Sequence, residues 1–353
     1  MQTVDTFLGA NSPKGFYGYF GQAYGPDWHV WLIKGGPGTG KSTLMRQVMR
    51  QTGGSWEQVH CSSDPASLDA VICREKRVML ADATPPHALE PRWPGCTEQL
   101  VDLGVGFDTA RLRAAGEEIR RLGEACAAQH ARAVQYLAAA ASVQTARVRA
   151  AEQDLNESFV RETADRFCLR DWTHRRRTPT EQIRGLSAVT PEGITYFQNT
   201  VTALADTVFL VRDTRGAAAP RMLEQLRRGL RGRGVDVITC RCALFPRRKV
   251  EHLLLPRQRV AFVTDSPAHP FTASPVIPVR LEEGYSAQET AQPDDTQEQL
   301  LLGEAAACMR QARELHTQVE QRYRAAMDFS VADRAAAQLA AAIAALPVLP
   351  DED

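Results

Sequence analysis

Nine consecutive residues near the amino end of the chain, Gly35–Thr43, have the composition and spacing of a loop that binds phosphate groups. They fit G-x-x-x-x-G-K-[ST], in which glycines let backbone N–H groups come close to the phosphates of a nucleoside triphosphate. The apolar, β-prone run His29–Ile33 precedes the loop, and Ser42–Met49 has the apolar spacing of a helix. Strand, loop and helix follow in the order that the motif requires, so this segment predicts a nucleotide-binding site.

The motif assigns an expected role to each of its polar residues. We expect Lys41 to reach the β- and γ-phosphates and the hydroxyl of Ser42 to hold Mg²⁺. We expect the backbone N–H groups to form an anion nest at a helix N-terminus. ATP and Mg²⁺ are therefore the predicted ligands. The predicted phosphate-binding residues are Gly36, Pro37, Gly38, Thr39, Gly40, Lys41, Ser42 and Thr43.

A carboxylate at the end of an apolar run is the second element of the predicted site. Arg77–Asp82 is typical of a strand whose last residue holds Mg²⁺ directly or through water, and we interpret Asp82 in this way. The alternative is an aspartate that only caps the next turn. Ala83 stands where many ATPases have a catalytic glutamate, so another residue must orient the attacking water.

Asp64 and His87 are the candidates for that water-orienting or acceptor-activating role. Both follow predicted strands, and parallel sheets bind ligands at the carboxyl ends of their strands. Asp64 is equally well explained as the N-cap of a helix over Pro65–Ile72. A structural role is favoured for His87, because the second half of the chain has a counterpart, His269.

The composition is that of an ordinary globular protein, and it limits the classes of partner. The chain has 353 residues, 44% hydrophobic and 24% charged, with 42 basic and 42 acidic residues. A neutral chain with no nucleic-acid motif makes nucleic acid an unexpected partner. We expect no membrane insertion and a cytoplasmic location, and a homo-oligomer stays open. The eight cysteines lack the paired spacing of a zinc site.

The chain contains two copies of one pattern. Pro13 and Pro191 are 178 positions apart, and the same shift aligns the segments around them, each of which we interpret as an N-cap followed by proline at a first helical position. At this shift the phosphate loop faces Asp213–Arg221, in which Ala219 and Pro220 replace the lysine and the serine. We therefore expect one working site. We also consider an arginine finger from Arg212, Arg215 or Arg221, although solvated arginines are favoured.

The predicted fold is α/β. It consists of two P-loop NTPase-like, three-layer cores with mostly parallel sheets, and a helical hairpin or coiled-coil arm follows each core. The arms are expected either to cap the cores or to move with the nucleotide state. The predicted domains are a nucleotide-binding core (1–106), a helical arm (107–170), a basic linker (171–185), a degenerate core (186–284) and a C-terminal arm (285–349).

These motifs together resemble a family of bacterial P-loop ATPase-like proteins built as a tandem duplication. The resemblance rests on Ser12–Tyr17, Gly35–Thr43, His60–Asp69, Asp82–His87, Glu90–Pro91, Pro94–Gly95 and Met327–Phe329. In that family both halves resemble intact nucleotide-binding cores, so Asp213–Arg221 is a departure. The resemblance implies ATP binding and supplies no established substrate.

Three functions agree with the sequence. The first is a slow Mg²⁺-dependent ATPase whose nucleotide state controls the helical arms or a protein partner. The second is a kinase that transfers the γ-phosphoryl group to a small molecule, and the third is a nucleotide sensor that does not hydrolyse its ligand.

Overall fold

The protein has two α/β cores, each built on a six-stranded mixed sheet. The computed structural model describes residues 3–173, 175–176, 178–266, 269–286 and 295–349. The first half contains β1 (Val4–Thr6), β2 (Gly9–Ser12), β3 (Gly15–Gly18), β4 (His29–Lys34), α1 (Lys41–Thr52), β5 (Glu57–Cys61), β6 (Asp64–Cys73), β7 (Val78–Asp82), β8 (Glu98–Asp102), α2 (Thr109–Ala114), α3 (Gly116–Glu152) and α4 (Glu157–Cys168). The second half contains β9 (Glu181–Arg184), β10 (Ser187–Thr190), β11 (Gly193–Tyr196), α5 (Gln198–Leu204), β12 (Thr207–Arg212), α6 (Ala218–Gly232), β13 (Val237–Arg241), β14 (Val250–Leu255), β15 (Val260–Asp265), β16 (Ile277–Arg280), α7 (Thr296–Ala325) and α8 (Ser330–Ala344).

The two sheets have the same topology, as expected for copies of one unit. The strand order is β1-β5-β6-β7-β4-β8 in the first sheet and β9-β13-β14-β15-β12-β16 in the second. In each sheet the third strand, β6 or β14, is antiparallel to both of its neighbours. The other three pairings of each sheet are parallel. Five of the six strands in each sheet therefore run in the same direction, as predicted, and one antiparallel strand makes each sheet mixed.

The antiparallel strand β6 corrects a sequence prediction. Residues Pro65–Ile72 form no helix, and Asp64 is the first residue of β6 instead of an N-cap. Only two residues separate β5 from β6, and a connection of two residues joins antiparallel strands, because a parallel pair needs a long crossover. The apolar run from Leu68 to Cys73 is buried and fills the sheet.

The segments around the two repeat prolines also differ from expectation. Pro13 lies in the turn of the β2–β3 hairpin, and Pro191 lies in the turn of the β10–β11 hairpin. Neither begins a helix. Each turn continues with a glycine at positive φ, Gly15 (+92°) and Gly193 (+101°), a conformation that favours glycine in a tight turn.

The helical segments that follow each core pack on the other core. The long helices α3 and α7 lie antiparallel, since Glu118 bonds Arg322 at one end and Gln144 bonds Glu298 at the other. The short helix α8 shares a hydrophobic cluster with α1 of the first core. Helix α4 shares one with α6 of the second core. The predicted arm 107–170 thus ends in a helix, α4, that packs on the core of the opposite half.

Helices cover one face of the first sheet. The other face is covered by residues such as Leu8, Tyr19, Phe20 and Tyr24, and among the described residues no α-helix contributes to that cluster. The expected three-layer core, with helices on both faces, is therefore not formed here. Residues 174 and 177 of the predicted basic linker and residues 287–294 of the predicted C-terminal arm lie outside the described residues.

Candidate functional site

The glycine-rich segment Gly35–Thr43, hereafter the first loop, joins β4 to α1. Gly38 (φ +68°) and Gly40 (φ +89°) adopt the left-handed conformation that lets a backbone curl around an anion. Helix α1 begins at Lys41, and no side chain caps it. Within the described part of the chain, the N–H groups of Gly38 and Gly40 form no hydrogen bond. The loop therefore presents open donors at the positive end of a helix dipole.

Lys41 is buried, with 9% of its surface exposed, and its ammonium group lies on the first loop. Its Nζ donates to the carbonyl of Gly36 at 2.8 Å and is 3.4 Å from the carbonyl of Gly35. The same Nζ is 3.5 Å from Oδ2 of Asp82. The structure thus brings together the two residues that sequence analysis assigned to the phosphates and to the metal.

The two predicted metal ligands retain free coordinating capacity. Oγ of Ser42 accepts a hydrogen bond from the N–H of Leu68 at 3.1 Å, which uses one of the two lone pairs of that oxygen. Oδ1 of Asp82 accepts from the N–H and the hydroxyl of Thr84 at 2.9 and 2.6 Å. These bonds fix the Asp82 carboxylate at the carboxyl end of β7, whose last residue pairs with Ile33 of β4.

The remaining residues of the first loop hold its shape or lie outside it. Thr39 is 1% exposed, and its hydroxyl donates to the carbonyl of Gly36 at 2.8 Å, so it closes the loop from inside. Thr43 is exposed, and Pro37 is half-buried.

Asp64 is not joined to Lys41, Ser42 or Asp82 by any hydrogen bond or ion pair among the described residues. Its carboxylate accepts from the hydroxyl of Ser67 at 2.6 Å within its own strand.

His87 forms a buried pair with a residue that sequence analysis missed, Asp69. Nε2 of His87 is 3.1 Å from Oδ1 of Asp69, and each side chain is 5% exposed. The imidazole packs against the rings of Phe16 and Phe20, with ring centroids 4.9 Å apart in each case. Burial alone would lower the pKa of His87, but the Asp69 carboxylate outweighs it and raises that pKa. The sequence feature that could have indicated this pair is the carboxylate of Asp69, which stands inside the apolar run of β6.

The second copy has the same pair at equivalent positions. Nε2 of His269 is 3.2 Å from Oε1 of Glu251, and both side chains are buried. Glu251 and His269 each follow Asp69 and His87 by 182 positions. Because this pair persists where Ala219 and Pro220 replace Lys41 and Ser42, a structural role accounts for it in both copies.

Two groups of possible metal ligands surround these pairs. Donor atoms of Cys61, Asp69 and His87 lie within 4.8 Å of one another, as do those of Glu251, His252 and His269. Burial raises the pKa of the Cys61 thiol well above its ordinary value.

In the second group, burial lowers the pKa of His252 to about 3, so this imidazole is neutral at pH 7. Its Nδ1 accepts from the N–H of Thr264, which leaves the ring proton on Nε2 and no lone pair there for a metal.

The aligned segment Asp213–Arg221, hereafter the second loop, fills its own anion nest. The Asp213 carboxylate accepts from the N–H of Gly216 at 2.9 Å and from the N–H of Ala219 at 2.7 Å. The hydroxyl of Tyr285 donates to the same carboxylate at 2.7 Å and accepts from the N–H groups of Ala217 and Ala218. A protein carboxylate thus occupies the donors that face a phosphate in an intact loop.

The three arginines considered as fingers are held within the second half and the adjoining arm. Arg215 bonds Asp154 and Arg221 bonds Glu152, both at or just after the end of α3. Arg212 lies 3.9 Å from Asp265 at the end of the neighbouring strand. None of the three forms a described contact with the first loop.

Comparison of the chain with protein-family models, with curated proteins and with solved structures gives no match in any of the three. Among the described residues, no helix combines the length and apolar character needed to cross a bilayer. The functional argument therefore rests on the residues and geometry of this chain.

Proposed function

We propose that the chain is a Mg²⁺-dependent ATP-binding protein that hydrolyses ATP slowly at the first loop. The observation that carries this proposal is the contrast between its two loops. The first has open N–H donors at Gly38 and Gly40 and a buried ammonium group at Lys41, whereas Asp213 neutralises and fills the second. Open donors in one loop and filled donors in the other are the pattern expected if one copy binds an anion and the other does not.

The residues of the first loop match the chemistry of a triphosphate. Lys41 and the loop amides provide positive charge for the phosphate oxygens, and they are already oriented before the ligand arrives. The hydroxyl of Ser42 and the carboxylate of Asp82 are hard oxygen donors, the kind that Mg²⁺ takes together with phosphate oxygens and water. When bound, Mg²⁺ neutralises charge on the β- and γ-phosphates.

The proposed turnover is slow because the residue after Asp82 is Ala83, which is 1% exposed and has no group to orient water. His87 has Asp69 on its Nε2 and packs against two aromatic rings, so it is held in place rather than free to take a proton from water. Water is therefore oriented mainly by the phosphates and by solvent. The nucleotide state acts on the arms through the end of α7, which packs on the first loop.

The test is titration calorimetry of ATP and GTP with Mg²⁺ on wild type, Lys41→Ala and Lys14→Ala. Lys14 is exposed in the β2–β3 turn, so its variant matches the loss of one positive charge. Loss of a hydrogen bond to a charged group costs about 1.5–3 kcal/mol, so Lys41→Ala should weaken ATP binding by roughly 10- to 150-fold. Lys14→Ala should bind as wild type does. Equal binding by all three proteins would contradict the proposal.

Phosphate release under the same conditions separates the remaining alternatives. Slow release that depends on Lys41 supports the ATPase. Tight binding without release supports the nucleotide sensor, and ADP formation only in the presence of an added small-molecule acceptor supports the kinase.

A further inference from the structure

The last turn of α7, which belongs to the second half of the chain, lies directly on the first loop. A Cβ added at Gly36 would come within 2.5 Å of the ring of Tyr323. A Cβ at Gly38 would lie 2.9 Å from Cβ of Glu320 and 3.1 Å from Cγ and Nε of Arg324. The glycines of the loop thus admit this helix as well as a ligand, and the helix brings a guanidinium group to the tip of the loop.

The duplication provides an internal comparison for that position. The bridges Phe107–Met327 and Leu155–Tyr285 are equivalent, which relates the end of α3 to the end of α7 by a shift of 172 positions. The contact between Gly38 and Glu320 has its counterpart at the second loop, where Gly216 faces Val148. Gly216 follows Gly38 by 178 positions, the shift between the two loops, and Glu320 follows Val148 by 172 positions, the shift between the two helix ends. By this relation, Arg324 at the first loop corresponds to Glu152 at the second.

The residues at these two positions carry opposite charges, negative at the second loop and positive at the first. Glu152 pairs with Arg221 beside a loop that already contains the carboxylate of Asp213. Arg324 stands beside the loop with open donors. The Arg324 side chain is 61% exposed, and its described partner is Glu320, one turn earlier at 3.1 Å. An exposed pair of this kind contributes little energy, so Arg324 can exchange it for a phosphate.

We propose that Arg324 acts as an arginine finger in cis, contributed by the C-terminal arm to phosphates bound at the first loop. This inference rests on the proposed function. In the reaction, the oxygen of water bonds to the γ-phosphorus and the bond to the bridging oxygen breaks. ADP leaves with that electron pair, and the water proton passes to inorganic phosphate and solvent. Arg324 stabilises the negative charge that develops on the γ-oxygens and on the leaving oxygen.

The experiment compares wild type, Arg324→Ala and Arg322→Ala. Arg322 lies on the same turn of α7, is comparably exposed and pairs with Glu118, away from the loop. Two quantities are measured: kcat at saturating ATP, and the affinities for MgADP without and with aluminium fluoride, which mimics the transferred phosphoryl group. Arginine fingers contribute roughly 10³- to 10⁵-fold to kcat.

For Arg324→Ala we expect at least a 100-fold loss of kcat and of affinity for the aluminium fluoride complex, with MgADP affinity within about threefold of wild type. Arg322→Ala should behave as wild type does. Unchanged kcat and unchanged complex affinity in Arg324→Ala would overturn the inference, as would equal losses in both variants. If wild type binds no nucleotide, the proposed function itself fails, so the two failures are distinguishable.

Discussion

Replacing Glu57 by Gln should destabilise the protein more than any surface change, because Glu57 is the centre of a buried charge network between the two sheets. It accepts from Arg184 of β9 through both carboxylate oxygens and from Arg74 at 2.8 Å. The hydroxyl of Thr6 donates to it at 2.7 Å. Arg184 is 1% exposed and Glu57 is 7% exposed, so the substitution leaves a guanidinium charge buried and unbalanced.

The loss of stability expected for Glu57→Gln follows from two separate arguments. Removing one partner of a buried ion pair costs about 3–5 kcal/mol. Burial raises the pKa of Glu57, but Arg184 and Arg74 outweigh it and lower this pKa from 4.5 to about 2. That shift corresponds to about 3 kcal/mol of stability. We therefore expect Glu57→Gln to lower the free energy of unfolding by about 3 kcal/mol at pH 7.

The pH dependence has a definite sign. Because the pKa of Glu57 is lowered in the folded state, its contribution is complete above pH 4.5 and is lost as the pH falls towards 2. In urea unfolding followed by circular dichroism, the difference in unfolding free energy between wild type and Glu57→Gln should be about 2 kcal/mol smaller at pH 3 than at pH 7.

Glu90→Gln is the control, since Glu90 is 74% exposed and pairs with Lys34 at the surface. It should change stability by less than about 0.5 kcal/mol. A gap below about 1 kcal/mol for Glu57→Gln, or a gap that does not change with pH, would refute this reasoning.

Three further substitutions test the loops and the buried pair. Asp213→Ala should lower the free energy of unfolding in urea by about 2–4 kcal/mol, because it removes the charged acceptor of the N–H groups in the second loop. A loss below about 1 kcal/mol would contradict this role of the Asp213 carboxylate. Asp69→Asn should lower the pKa of His87 in an NMR titration, since the carboxylate raises it, and an unchanged pKa would exclude that cause. Gly36→Ala should lower the free energy of unfolding by about 1–3 kcal/mol in thermal unfolding, because the new Cβ meets the ring of Tyr323. Adding Tyr323→Ala should restore part of that loss. Unchanged stability of Gly36→Ala alone would show that the ring moves aside without cost.

Local pattern was sufficient to predict the first loop and its flanking elements. The run His29–Ile33 forms β4, and Ser42–Met49 lies within α1, because apolar spacing and glycine punctuation act over a few residues. The alignment of the two halves likewise anticipated two α/β cores, since equal patterns bury the same faces.

Features that depend on distant partners were not predictable. Strand β6 begins with Asp64-Pro65, a common helix start, yet pairing with β5 and β7 determines its conformation. The periodicity of the arms showed which helix faces are apolar, but it did not show that each arm packs on the core of the other half. Substitution of Lys41 by Ala219 indicated a lost site, but it did not show that Asp213 fills the nest, because that carboxylate folds back over six residues.

The exchange of terminal helices explains why the second core is maintained although its loop lacks the lysine and the serine of the first loop. Helix α8 covers α1 of the first core, and its approach begins where Phe329 lies beside Gly40 of the first loop. Helix α4 covers α6 of the second core, where Cys168 packs against Gly229. Each core is thus completed by chain from the other half, so the second core must stay folded for α7 and α8 to reach the first loop. Stability therefore constrains the second copy even without phosphate binding. An internal carboxylate at Asp213 satisfies that requirement, because it holds the loop closed without a ligand.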